Sequence, residues 1–381
     1  MNKKFIKPNF KNNIINISAT LAEFLGCPND KPTLPILKEE LSKRYKNVVF
    51  IIFDGMGINP ININLNPDTI LRKNVKQVLT SVFPSTTTNA TTSLLSNKYP
   101  MEHGWFGWCL YFEELNRVVD IYLSSDSYTK EQISPDFMQK RLPFVPYYKY
   151  AKTDYSVSKV VPEFWHDGND ENRYVCNDNA DYFDNIEKIC NKKGKQFIYA
   201  YCPEPDHTMH EFGVSSKEAY EVINLLNDGI EKLANKLENT LFVITADHGQ
   251  IDVDGYIEIY KDKELLSMLE YPQFLEARAT AFKVKPQFHK NFEKMFNEKY
   301  GEDFELVKSK ELIKDNYFGG KIISNNAKLL GDYIAIGKTN KIIKLNENYE
   351  NFKGHHTSLT AEMVVPLILI EKDQILWTIQ E

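Results

Sequence analysis

Three short runs along the chain are apolar at almost every position. They are residues 47–53 (Asn-Val-Val-Phe-Ile-Ile-Phe), 196–201 (Gln-Phe-Ile-Tyr-Ala-Tyr) and 240–245 (Thr-Leu-Phe-Val-Ile-Thr). A strand with one wet face alternates between apolar and polar side chains. Unbroken runs rich in β-branched and aromatic residues instead predict central strands buried on both faces. Residues 217–237 lie between the last two runs, with apolar side chains at Ala219, Val222, Leu225, Leu226, Ile230 and Leu233. That spacing predicts an amphipathic helix. Strand and helix in alternation predict an α/β fold, a mostly parallel central sheet with helices on both faces.

Residues 255–345 read as an insert, a small α/β subdomain that walls or caps a pocket. Within it, 278–284 alternates like a strand, 289–300 like an amphipathic helix, and 304–307 and 329–336 like further strands. The core is then residues 1–254 with 346–381. The segment 105–182 is rich in aromatics without a clear period, which predicts long loops over the same sheet edge.

With 381 residues, 42% of them hydrophobic, the chain can bury a large core. Its net charge of -6 gives no basis for a nucleic-acid groove or an anionic membrane partner. The start, MNKKFIKPNFKNNIINIS, has no continuous apolar stretch of the kind that makes a secretion signal. No segment approaches the roughly 20 apolar residues of a membrane span. The cysteines are Cys27, Cys109, Cys176, Cys190 and Cys202, an odd number without a CxxC pair. This pattern predicts reduced thiols in a cytoplasmic protein and no thiolate zinc site.

Each of the three buried runs leads into an aspartate: Asp54 in Phe-Asp-Gly, Asp206 in Pro-Asp-His, and Asp247 in Ala-Asp-His-Gly. One such motif is an ordinary turn. Three at the carboxyl ends of parallel strands, where open α/β sheets bind ligands, point to a site. Histidines join them. Asp206 and His210 share one face of a helical turn, and His248 adjoins Asp247. His355 and His356 follow Gly354. Carboxylate and imidazole without thiolate suit zinc, with manganese as the alternative. The set exceeds the four ligands of one tetrahedral ion, so two ions sharing a pocket is the natural count.

A second feature is the hydroxyl-rich run Phe83-Pro84-Ser85-Thr86-Thr87-Thr88-Asn89, which enters a helix. It is either a simple capped helix or a nucleophile placed where helix amides favour a phosphate. A hydroxyl of ordinary pKa needs metal coordination to attack.

Taken in order, FDGMG, FPSTT with YPMEHG beyond it, PDHTMH, ADHG and GHHT resemble the alkaline phosphatase superfamily. The branch most alike is the type I phosphodiesterases and nucleotide pyrophosphatases, including bacterial cytoplasmic members. The resemblance runs from about Asn47 to Ile370. It implies an alkaline-phosphatase-like fold and two divalent ions. Asp206, His210 and His356 would hold one; Asp54, Asp247 and His248 would hold the second, together with the Thr87 hydroxyl. The register to Tyr99-Pro100 selects Thr87 as nucleophile, and Gly354 two residues earlier selects His356 over His355. Two departures stand out. Thr357 replaces the usual glycine after that histidine. Ala90 stands where many nucleotide pyrophosphatases carry an asparagine that holds a phosphoryl oxygen, with Asn89 one place early.

The implied activity is a phosphodiesterase or nucleotide pyrophosphatase acting through a covalent phospho-threonine. Its substrate would be small and phosphorylated, a nucleotide among the options. A phosphomonoesterase, phosphonate hydrolase or phosphomutase of the same superfamily is the enzymatic alternative. An inactive phospho-ligand-binding member is the non-enzymatic one. Trp105, Phe106, Trp108 and Tyr111 follow the nucleophile helix and either stack a planar leaving group or belong to the core. Arg72, Arg117 and Arg278 are the arginines to consider as a clamp for a monoester.

Overall fold

A computed structural model describes residues 5–165 and 171–372. The first four residues of the amino-terminal stretch discussed above lie outside these. The central sheet has seven strands, in the order Val75–Thr80, Val364–Glu371, Thr240–Thr245, Asn47–Phe53, Lys195–Cys202, Tyr155–Pro162 and Arg173–Cys176. All run parallel except Val364–Glu371, which is antiparallel to both neighbours. Helices cover the sheet, among them Ile14–Phe24, Asn179–Cys190 and Lys217–Lys236. In the last of these the buried side chains include Ala219, Leu226, Ile230 and Leu233, while Leu225 faces solvent.

The apolar run at Asn47–Phe53 is buried at every position. Each of its Val, Ile and Phe side chains stabilises the fold by about 1.5–3 kcal/mol through removal from water. Its register places the site. Phe53 pairs with Cys202 and Ile52 with Thr245, so three strands stop at one level. Asp54 follows at once, Asp247 after Ala246, and Asp206 after Pro203-Glu204-Pro205.

A second seven-stranded sheet, entirely antiparallel, runs Phe304–Lys308, Tyr333–Gly337, Ala279–Phe282, Phe274–Leu275, Cys109–Phe112, Arg117–Asp120 and Ser125–Asp126. Helix His289–Tyr300 packs on it through Phe292 and Phe296. Residues 105–182 are therefore not only loops. Three of their strands extend this sheet, and Tyr155–Pro162 and Arg173–Cys176 extend the central one. The hairpin strands are too short to show a period. In Tyr155–Pro162, Ser156, Ser158 and Lys159 interrupt the apolar run. Residues 328–330 form a helical turn ahead of Tyr333–Gly337 rather than part of that strand.

All five cysteines are buried and free. Among the described residues no helix is long and apolar enough to cross a membrane.

Candidate active site

Close backbone approach brings the aspartate turns together, and two glycines make it possible. Gly55 has φ of 71°, a conformation that costs other residues strain, and a Cβ there would lie 3.0 Å from the Asp206 side chain. A Cβ on Gly57 would lie 2.6 Å from the Cα of Gly249. The Asp206 amide donates to the Asp54 carbonyl at 3.1 Å, tying two of the turns.

Two ligand clusters share this edge. Asp206, His210 and His356 form one, and Asp54, Asp206 and His248 the other. In the first, Nε2 of His210 lies 3.4 Å from Asp206 Oδ2, and Nε2 of His356 lies 3.8 Å from Asp206 Oδ1. In the second, Nε2 of His248 lies 3.3 Å from Asp54 Oδ1, 3.5 Å from Asp247 Oδ2 and 3.9 Å from Asp206 Oδ1. Asp206 thus sits between the two sets. The Thr87 hydroxyl is 3.3 Å from each oxygen of Asp54 and 3.2 Å from Nε2 of His248. Every sequence-derived candidate, Asp54, Thr87, Asp206, His210, Asp247, His248 and His356, is therefore in this one place.

The three imidazoles are held alike. Nδ1 of His210 lies 2.9 Å from the Gly354 carbonyl, that of His248 3.0 Å from the Gly249 carbonyl, and that of His356 3.1 Å from the Ser85 carbonyl. A carbonyl only accepts, so each Nδ1 donates; whenever such a ring is neutral, its lone pair falls on Nε2, the arrangement of metal-binding histidines. His355 differs. Its Nδ1 accepts the His356 N–H at 2.8 Å, and its Nε2 is 3.1 Å from the Tyr349 hydroxyl. Both of its ring nitrogens are engaged elsewhere.

The electrostatics fit a cation-binding site. Burial, then Asp247 and Asp206, push the Asp54 carboxyl well above the ordinary range. Burial also raises Asp247, whose Oδ1 accepts the Gly55 amide at 3.0 Å while its Oδ2 is buried without a hydrogen-bond partner among the described atoms. Burial opposes charge on His248, but Asp247, Asp54 and Asp206 overcome it and push the ring up to about 10. Carboxylates gathered at such cost, with an orphaned oxygen, match the donor set of divalent ions.

Helix Thr87–Ser96 begins with Thr87 at its first position and Thr86 as the residue before it, yet no side chain caps it. The simple capped helix is thus not what the sequence builds. Asn89 donates to the Pro84 carbonyl at 2.9 Å, so its amide braces the entry loop, and Ala90 is buried. The arginines are committed elsewhere. Arg72 binds the Leu65 carbonyl, Arg117 pairs with Glu131 at 2.7 Å, and Arg278 pairs with Glu362 at 2.8 Å with both side chains fully buried. The aromatics divide. Trp105 and Phe106 are core, Tyr111 stacks on Tyr271, and Trp108 is 40% exposed.

Two residues escaped the sequence reading. Tyr201 donates to Asp54 Oδ2, and Gln250 donates to Asp206 Oδ1. Tyr201 stands next to the end of a strand already assigned to the site, and Gln250 directly follows Ala-Asp-His-Gly. Their placement was the available signal.

A model of the type I phosphodiesterase / nucleotide pyrophosphatase family matches residues 48–359. No curated protein matches the chain in sequence. Among solved structures, murine ectonucleotide pyrophosphatase / phosphodiesterase 5 is similar at TM-score 0.61 and 17% identity, over 85% of this chain and 88% of that one. An inactive threonine-to-alanine form of the same murine protein, in complex with AMP, is similar at TM-score 0.60 and 19% identity, over 85% and 87%. Phosphonoacetate hydrolase from Sinorhizobium meliloti 1021, in complex with phosphonoformate, is similar at TM-score 0.60 and 14% identity, over 85% and 89%.

Proposed function

Since the chain belongs to the type I phosphodiesterase / nucleotide pyrophosphatase family, of the alkaline phosphatase superfamily, we propose that it is a two-metal phosphoesterase working through a covalent phospho-threonine on Thr87. The observation that carries this reading is the Thr87 hydroxyl, within 3.3 Å of both Asp54 oxygens and 3.2 Å of His248 at an uncapped helix start. Asp206, His210 and His356 would hold one divalent ion, and Asp54, Asp247 and His248 the other, with zinc as the expected metal. Bound there, the pair would supply Lewis acidity to the attacking and leaving oxygens.

The chain's own groups do the rest. Asp54 and His248 orient the Thr87 oxygen, and the first-turn amides of Thr87–Ser96 are placed for phosphoryl oxygens. Attack by Thr87 forms its bond to phosphorus as the bond to the leaving oxygen breaks. Water then cleaves the phospho-threonine and restores the hydroxyl. The Tyr201 bond fixes Asp54, and the Gln250 bond fixes Asp206. The murine neighbour inactivated at a threonine and bound to AMP supports a threonine nucleophile and a small phosphorylated substrate.

A phosphonate substrate is the second reading. Ala90 carries no side-chain amide and the Asn89 amide is committed to the Pro84 carbonyl, so neither supplies the side-chain amide that holds a diester oxygen. The phosphonoacetate hydrolase structure shows that the fold also accommodates phosphonates.

Nitrophenyl monoester, nitrophenyl nucleotide diester and phosphonoacetate, assayed with added zinc or manganese, separate these readings. Thr87→Ala is expected to lower turnover of the preferred substrate at least about 1000-fold with metal content retained. Near-full activity of that variant rejects the nucleophile.

A further inference from the structure

Thr87 and Thr91 are four residues apart in helix Thr87–Ser96, so they share a face and lie one turn from each other. Helical side chains lean toward the helix start, which sets the Thr91 hydroxyl over the turn that carries the nucleophile. That hydroxyl donates to the Thr87 carbonyl at 2.6 Å. Its single proton is thereby committed. The Tyr122 hydroxyl, 2.6 Å from the same Thr91 oxygen, is therefore the donor in their contact. Tyr122 lies in the turn that joins strands Arg117–Asp120 and Ser125–Asp126 of the second sheet. Its ring meets those of Trp105 and Trp108 with centroids 5.6 Å and 6.4 Å away. The two indoles fix the ring, yet Tyr122 is 40% exposed. The second sheet thus delivers a partly exposed phenol O–H to the nucleophile's own face of the helix.

We propose that Tyr122 is a substrate-binding residue, whose phenol O–H turns from Thr91 to a non-bridging oxygen of the phosphoryl group held at Thr87. The inference rests on the phosphoesterase reading above. A phenol keeps its proton at neutral pH and so remains a donor there. The exchange replaces a neutral acceptor by an anionic one, and hydrogen bonds to ionised acceptors are roughly twice as strong. Neither Ala90 nor the Asn89 amide offers this contact, and Arg72, Arg117 and Arg278 are committed elsewhere. Tyr122 adds a side-chain donor to the first-turn amides.

The test is calorimetric binding of inorganic phosphate to the metal-loaded protein, with metal content measured alongside. Tyr122→Phe keeps the ring against both indoles and removes only the O–H. It is expected to weaken phosphate binding about tenfold, the ratio that one net hydrogen bond to a charged group represents. Thr91→Val is expected to bind phosphate at least as tightly as wild type, because the phenol then has no internal partner to leave. A phenol that merely braced the helix through Thr91 would behave otherwise: Thr91→Val would weaken binding as much as Tyr122→Phe. Should Tyr122→Phe not fold, the Thr91→Val measurement decides between the two. Wild-type affinity in Tyr122→Phe, or weakened binding in Thr91→Val, overturns the inference alone. Absence of phosphate binding and of ester hydrolysis by the wild-type loaded protein overturns the phosphoesterase reading, and this inference with it.

Discussion

The imidazole rings of His248 and His356 stack with centroids 3.8 Å apart and planes inclined by 25°. Two charged rings at that spacing would repel. Burial, and then the charge on His248, hold His356 well below the ordinary histidine range. The stack sits beside Asp54, Asp206 and Asp247, which repel one another when no cation lies between them.

Metal removal should therefore cost stability as well as activity. A ligand that binds only the folded state stabilises it by about 2.7 kcal/mol at a hundredfold excess over Kd. Chelation is expected to lower Tm by several degrees, and zinc to restore it. A scanning calorimetry trace unmoved by chelator and by added zinc would speak against the site.

The buried pair of Arg278 and Glu362 should behave asymmetrically. Arg278 also donates to the Thr339 carbonyl at 2.6 Å and the Lys341 carbonyl at 2.8 Å. Arg278→Ala leaves Glu362 buried and uncompensated, at an expected cost of about 3–5 kcal/mol in urea unfolding. The double change Arg278→Met with Glu362→Leu should recover most of that loss. Equal damage from single and double variants would show that the pair is not the cause.

Thr357 holds φ of 95°, a strained conformation for a β-branched residue, and its hydroxyl accepts the Arg278 amide at 3.2 Å. Thr357→Gly relieves strain and loses the bond, so its stability should fall within about 1 kcal/mol of wild type. Thr357→Val keeps the strain and orphans a buried amide, at about 1–3 kcal/mol. Denaturation midpoints that rank Val above Gly would contradict this account.

Burial, assisted by Lys98, pushes His103 down to about 3, with Nε2 2.9 Å from Ser93 Oγ and Nδ1 accepting the Trp105 amide at 3.0 Å. The folded protein binds this proton less readily than the unfolded chain. Between the unfolded value of about 6.5 and about 3, the unfolded state therefore carries the extra proton. Stability falls as pH falls through that window, by up to about 1.4 kcal/mol per pH unit from this residue. His103→Asn should flatten the slope of unfolding free energy against pH there. An unchanged slope would assign the dependence to other groups.

Much of the site could be read from the chain because its parts are local. An apolar run followed by Asp-Gly at residues 53–55, or by Asp-His-Gly at 247–249, announces a strand that delivers a carboxylate to the sheet edge. Asp206 and His210 are one helical turn apart. The hairpin strands within residues 105–126 left no such trace, since their pairing with Phe274–Leu275 joins distant segments.

The sequence alone determined the buried strands, the ligand chemistry and the hydroxyl run, because period, side-chain type and spacing are properties of neighbouring residues. Only the tertiary structure decided which atoms meet. Strand register levelled Asp54, Asp206 and Asp247, and backbone carbonyls held three imidazoles with their Nε2 atoms turned toward Asp206. Tyr349 and the His356 amide engaged both ring nitrogens of His355. Each of those outcomes depends on contacts between segments far apart in the chain, and only packing sets them.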